Sequence, residues 1–175
     1  NSTEMRDAFF DEVYNIAKDD TQVIFLTADM GAYGLNRFKQ DLPKQYINVG
    51  VAEQNMVSIA AGLALGGKKV FIYTIIPFAT LRCYEQIKID LCCMNLPVTI
   101  VGVGPGFTYG SDGPTHHATQ DIAVMRVLPE ITILNPSDPV ITKECARIAY
   151  RNKGPTYVRI DKGEFPIIYN EANGD

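Results

Sequence analysis

Apolar runs recur along this chain without the polar alternation of a half-exposed strand, as in Val23-Ile24-Phe25-Leu26, Val70-Phe71-Ile72-Tyr73 and Val98-Thr99-Ile100-Val101. A strand that is apolar on both sides has to be covered on both sides, the situation inside a parallel sheet flanked by helices. Shorter strands are predicted over 46–49, 131–134 and 156–160, which brings the sheet to about six. Helical stretches stand between them. Met5, Phe9, Val13 and Ile16 fall on one helical face, with Thr3 as the expected cap and Asp19-Asp20-Thr21 as the stop. A helix over 53–65 ends at Gly66-Gly67, and another begins at Pro139 behind the cap Asp138. Residues 78–94 form the longest amphipathic stretch, with Leu81, Tyr84, Ile87 and Leu91 as one stripe, and a short helix is expected over 120–126. Strands and helices alternate throughout, which predicts an α/β fold: a mostly parallel sheet with helices on both faces. One domain is expected over 1–165, followed by a loose tail over 166–175.

Composition narrows the function classes. The 175 residues are 46% hydrophobic, enough for one substantial core, and the formal net charge is −4. Neither nucleic acid nor an anionic membrane is an expected partner, because both require a basic face that this chain lacks. The longest apolar runs stop well short of a membrane span and the amino terminus carries no signal-peptide pattern, so the cytoplasm is the expected compartment. Cys83, Cys92, Cys93 and Cys145 have no zinc-type spacing, and all four are expected to be reduced, buried and structural.

Three stretches could carry chemistry. In Asn48-Val49-Gly50-Val51-Ala52-Glu53 a strand breaks at a glycine and a lone acid heads the apolar helix that follows. Glu53 either serves the helix dipole there, or uses its burial to share a proton with a ligand nitrogen. Gly102-Val103-Gly104-Pro105-Gly106 is a poor dinucleotide fingerprint, since no helix starts there and a proline interrupts the glycines. It opens a long polar connection through Asp112-Gly113-Pro114-Thr115-His116-His117, either a surface excursion or an active-site loop. Residues 27–34 are a plain turn or a ligand loop at a strand's carboxyl end.

Taken together, Gly50-Val51-Ala52-Glu53-Gln54, the segment from Phe78 through Tyr84-Glu85-Gln86, and Asp112-Gly113-Pro114-Thr115-His116 resemble the pyrimidine-binding domain of the transketolase family of thiamine diphosphate enzymes. That family includes the deoxyxylulose-phosphate synthases. Asn135-Pro136-Ser137-Asp138 follows in the expected place, and the resemblance runs over roughly 25–162. It implies that Glu53 hydrogen-bonds a ring nitrogen of the cofactor's aminopyrimidine, whose exocyclic nitrogen then deprotonates the thiazolium carbon. It also implies that Phe78 and Tyr84 lie against the aminopyrimidine, and that Asp112 and His116 face the substrate, His116 donating to a sugar hydroxyl or developing alkoxide. Pro77 favours a fixed turn at Phe78 over a place in mid-helix.

The departures restrict the substrate. Gly104 stands where transketolases carry a substrate-binding histidine, Pro105 where the synthases carry an arginine, and His117 where a glutamine is usual. Lys162 replaces a late arginine for sugar phosphate, keeping the charge but losing the fork. The G-D-G motif that holds the cofactor's diphosphate through magnesium is absent, so a separate domain or subunit is expected to supply it, and this polypeptide alone is expected to be inactive. Dimerisation through the Glu53 helix is the further expectation. The implied activity is two-carbon ketol transfer or condensation of a 2-oxo acid with an aldehyde. The rivals are a 2-oxo acid dehydrogenase β-type subunit and a non-catalytic assembly or regulatory module.

Overall fold

The computed structural model describes residues 2–169. In chain order the elements are β1 (Ser2–Glu4), α1 (Met5–Asp19), β2 (Val23–Thr27), α2 (Leu35–Asp41), β3 (Tyr46–Asn48), α3 (Glu53–Leu65) and β4 (Lys69–Ile75). They continue with α4 (Ile76–Ala79), α5 (Tyr84–Gln86) running into a π-helical segment (Ile87–Cys92), β5 (Val98–Val103), a 3-10 turn (Gly110–Asp112) and α6 (Asp121–Arg126). The last are β6 (Thr132–Leu134), α7 (Pro139–Arg151), β7 (Thr156–Ile160) and β8 (Glu164–Pro166). Six strands form one wholly parallel sheet in the order β3-β2-β4-β5-β7-β6. The expected α/β architecture is therefore the one found, with α1, α2 and α7 on one face and α3, α5 and α6 on the other. Among the described residues no helix is long and apolar enough to cross a membrane.

Several local expectations give way. Thr3 does not cap α1; it pairs with Phe165 across the antiparallel β1-β8 ribbon, and Glu4 becomes the cap by accepting from the Asp7 N–H at 2.9 Å. The tail expected from residue 166 is held as far as Tyr169: Pro166 pairs with Ser2, and the Ile168 and Tyr169 N–H groups donate to Asp138 at 2.8 and 2.9 Å. Residues 170–175 lie outside the described residues.

The stretch 78–94 is not one helix. Thr80 Oγ1 donates to the Ile76 carbonyl at 2.7 Å, taking up an acceptor that a continuing helix would use, and the chain turns before restarting at Tyr84. Leu81 consequently drops out of the predicted stripe and is exposed, while Ile87 and Leu91 stay buried. Cys83, Cys92 and Cys145 are buried, and burial pushes their thiols up to about 12, 11 and 11. Cys93 is exposed, contrary to expectation, because consecutive residues on a helix cannot both face the same core.

Candidate functional site

Every predicted site residue lies beyond the carboxyl end of a parallel strand, where an open α/β sheet has its crevice. Glu53 follows β3, Phe78 and Tyr84 follow β4, Asp112 and His116 follow β5, and Lys162 follows β7. The turn before Glu53 is built in two steps. Gly50 takes φ +76°, a conformation costly for residues with a side chain. Asn48 fixes that turn by accepting from the Gly50 and Asp29 N–H groups, both at 3.0 Å, while its amide donates to Asp29 Oδ1 at 3.0 Å. The carboxyl ends of β2 and β3 are thereby tied together.

Glu53 opens α3 and is only 3% exposed. Its Oε1 accepts from Arg82 Nη1 at 3.0 Å, at the edge of a cavity of about 280 Å3 lined by Val51, Ala52, Gln54 and Asn55 as well. Met56, Val57 and Ala60 behind it are fully buried, so one side of the carboxyl is dry. The Arg82 guanidinium also lies over the Phe78 ring, its central carbon 3.8 Å from the ring centre. Pro77 sits in the first turn of α4, and Phe78 follows it inside that four-residue helix rather than in the expected turn, which comes at Thr80.

From Phe78 the contacts continue across the sheet. His116 meets the Phe78 ring edge-on at 5.1 Å and 73°, and Tyr109 at 5.9 Å. Lys162 Nζ lies 4.7 Å from the centre of the Tyr109 ring. Glu53, Arg82, Phe78, His116, Tyr109 and Lys162 thus make one continuous line over the ends of four strands. The His116 Nδ1 is 3.0 Å from Thr115 Oγ1, and the His117 Nε2 is 3.2 Å from the Gly110 carbonyl, so the two histidines are held to different parts of the loop. A second cavity, of about 420 Å3, is bounded by Phe78, Arg82, Pro114, Thr115, His117 and Gln120.

Two predicted residues stand apart from that line. Tyr84 is half-buried against the α3 side of the core, and its hydroxyl donates to the Val124 carbonyl at 2.7 Å, bracing α6. Asp112 is exposed on the 3-10 turn. Its charge, after burial, contributes to pushing the Tyr109 phenol up, against the lowering influence of Arg6.

Sequence reading misses Arg82 and Tyr109. Arg82 is four residues past Phe78, a spacing at which helical neighbours meet, but in the sequence it falls inside a stretch with the pattern of one long helix. Tyr109 explains the glycine at 104: the backbone there has φ +85°, and a β-carbon would overlap the Tyr109 ring. A side chain at 104 and the ring at 109 exclude each other, so the tyrosine fills the space that a histidine would need. Among the described residues no cluster of three or more His, Cys, Asp or Glu side chains could hold a metal ion.

A parallel sheet with a buried acid and an aromatic ring beyond its carboxyl ends defines an α/β domain of the ligand-binding kind. Residues 1–167 match the family described as transketolase, pyrimidine binding domain. The chain is 37% identical over 170 residues to an apulose-4-phosphate transketolase subunit of Phocaeicola vulgatus, covering 97% of this chain and 54% of that protein. It is also 37% identical over 160 residues to 1-deoxy-D-xylulose-5-phosphate synthase of Corynebacterium glutamicum, covering 90% of this chain and 25% of that one. A solved structure described as a split gene transketolase, an inactive beta4 tetramer, superposes with a TM-score of 0.87 at 29% identity, over 98% of this chain and 55% of that chain. The chain belongs to the transketolase pyrimidine-binding domain family. It spans about half the length of the Phocaeicola protein, and the family is of transferase type and uses thiamine diphosphate.

Proposed function

We propose that this domain binds the aminopyrimidine of thiamine diphosphate in a transketolase-like transferase, as the half of a site that a diphosphate-binding domain or subunit completes. The observation that carries this is the pairing of a nearly dry carboxyl with a half-buried aromatic ring, both already holding one flat N–C–N group at 3.0 and 3.8 Å. The residues therefore suit a flat nitrogen heterocycle: an acid for its edge and a ring for its face. When bound, the cofactor supplies the carbon nucleophile for ketol transfer or 2-oxo acid condensation.

Glu53 shares a proton with the pyrimidine's ring nitrogen, and the apolar start of α3 keeps water from competing for it. Phe78 supports the ring's face, while Tyr84 anchors the segment that carries Phe78 by holding α6. His116, edge-on to Phe78, donates to the oxygen of a sugar or 2-oxo acid substrate, with Asp112 and Lys162 on the rim of the same loop cluster. Magnesium and the diphosphate belong to the partner, the cytoplasm is the compartment, and a second copy packs on α3.

The test uses the full protein with its diphosphate-binding partner. Glu53→Gln and Glu53→Ala are each expected to lower kcat by about 10²–10⁴-fold, the range of a lost general acid–base contribution. Near-normal turnover in both variants would end the proton role.

A further inference from the structure

Arg82 makes both contacts that the proposed function gives to the aminopyrimidine. Its Nη1 donates to the buried Oε1 of Glu53 at 3.0 Å, and its guanidinium carbon lies 3.8 Å from the centre of the Phe78 ring. A guanidinium is a flat N–C–N fork, and the amino-bearing edge of an aminopyrimidine is flat N–C–N as well. Either can offer an N–H to a carboxyl while resting its face on an aromatic ring. Arg82 already occupies both contacts, so a pyrimidine that made them would have to displace it.

We propose that Arg82 is a competing plug: a side chain that stands in for the cofactor's pyrimidine, holds Glu53 and Phe78 in register, and is displaced when the cofactor enters. The inference rests on the proposed function and deepens it, because it makes cofactor affinity a property set from within this chain. The displaced side chain has somewhere to go. It is 42% exposed and walls both cavities, the one at Glu53 and the one bounded by Pro114, Thr115 and His117. Rotation about its own side-chain bonds moves the guanidinium from the first to the second. The backbone need not follow, since the Arg82 N–H is hydrogen-bonded to the Pro77 carbonyl at 3.1 Å. An ion pair exposed at its arginine end and one cation–π contact can yield to a ligand that replaces both contacts and is also held by its diphosphate.

The experiment is calorimetric binding of thiamine diphosphate with magnesium to the full protein in complex with its diphosphate-binding partner. Arg82→Met keeps the stem and removes the fork, and is expected to bind about fivefold more tightly than the unmodified protein, because the ligand no longer has to displace the ion pair and the cation–π contact. Arg82→Lys, which keeps the charge without the flat fork, is expected in between. Salt screens a pair between a buried carboxylate and a half-exposed arginine only in part, so the affinity ratio between Arg82→Met and the unmodified protein should decrease, without reaching one, as salt rises. A merely structural arginine would not produce that decrease. Unchanged or weaker binding by Arg82→Met overturns the plug; should that variant fail to fold, equal or weaker binding by Arg82→Lys does so. Glu53→Ala is measured in parallel. If it binds cofactor normally, the underlying cofactor assignment fails; if it binds weakly while the Arg82 variants bind no more tightly, the plug alone fails.

Discussion

Beneath α1 and α7 the core is made of rings, whereas beneath α3 it is largely aliphatic, with alanines on the helix itself facing Ile, Leu, Val and Met side chains. On the first face Phe9, Phe10, Phe25, Phe38, Phe71 and Tyr73 interlock, with Phe10 edge-on to Phe25 at 5.6 Å and to Tyr73 at 4.8 Å. On the second, Ala60, Ala61 and Ala64 bring α3 down onto β2 and β4. Large rings close a face from within one chain, because each buries a large area against its neighbours. A small-residue helix lies close to the sheet and has little reach for anything on its far side. That far side of α3 carries Gln54, Asn55, Ser58, Gly62 and Leu65 exposed, with no lysine or arginine along the helix. One face is thus closed by rings from within the chain, while α3, with Glu53 at its head, keeps an exposed and nearly uncharged far side.

The contrast is tested hardest at the ring face. Phe10 is fully buried, and Phe10→Ala is expected to cost about 3–5 kcal/mol of unfolding free energy, from lost transfer energy and the cavity left behind. Denaturant unfolding of the domain measures it. A loss below about 1 kcal/mol would mean that the rings are not what closes this face.

A smaller effect is expected where the ring face is fastened at its end. Asp138 is fully buried and caps α7 by accepting from the Ile141 N–H at 2.8 Å, while also receiving the Ile168 and Tyr169 N–H groups. Burial works against its charge, yet the backbone donors together outweigh it and hold the carboxyl below its ordinary value of 3.8. A carboxylate lowered in this way contributes stability that is fully present above the unfolded value and is lost as pH falls through the lower folded value. Asp138→Asn should therefore be about 1–2 kcal/mol less stable than the unmodified protein near neutral pH, with the gap closing as pH drops below the ordinary carboxylate range. Thermal unfolding from pH 7 to pH 3 tests the sign (a gap that widens toward acid contradicts it).

Much of this is legible in the sequence, for identifiable reasons. The strands show because burial on both sides leaves unbroken apolar runs at 23–26, 70–73 and 98–101, and Asp138 with Pro139 announces α7 by cap chemistry alone. The β1-β8 ribbon is hidden because three-residue strands carry no periodicity and pair residues about 160 apart in sequence, a link that local propensity cannot express. α2 is hidden because only Leu35 and Phe38 face the core and Gly34 offers no capping side chain. At the site, Glu53, Phe78, His116 and Lys162 are found through motifs and do fall on one line of contacts. Arg82 is not found, because its position depends on Thr80 diverting the chain; in an unbroken helix Leu81 would have kept its place in the buried stripe and Arg82 would have pointed elsewhere. Tyr109 escapes because the only clue is a missing side chain at Gly104.

The smallest expected change in stability says most about how the second face is finished. Gly62 lies on the exposed side of α3, and a β-carbon built there would meet nothing within 4 Å. Gly62→Arg should leave the domain's own stability within about 0.5 kcal/mol, since it adds no overlap and replaces a poor helix former with a better one. If a second copy packs on this helix, the same substitution puts a long charged side chain where only a hydrogen atom stood and should dissociate the assembly. Sedimentation velocity of the full protein separates the two effects. A variant that unfolds normally yet sediments as a smaller species supports α3 as the joining face. One that keeps both stability and assembly places the joining face elsewhere, and the exposed side of a nearly uncharged helix would then need a different occupant.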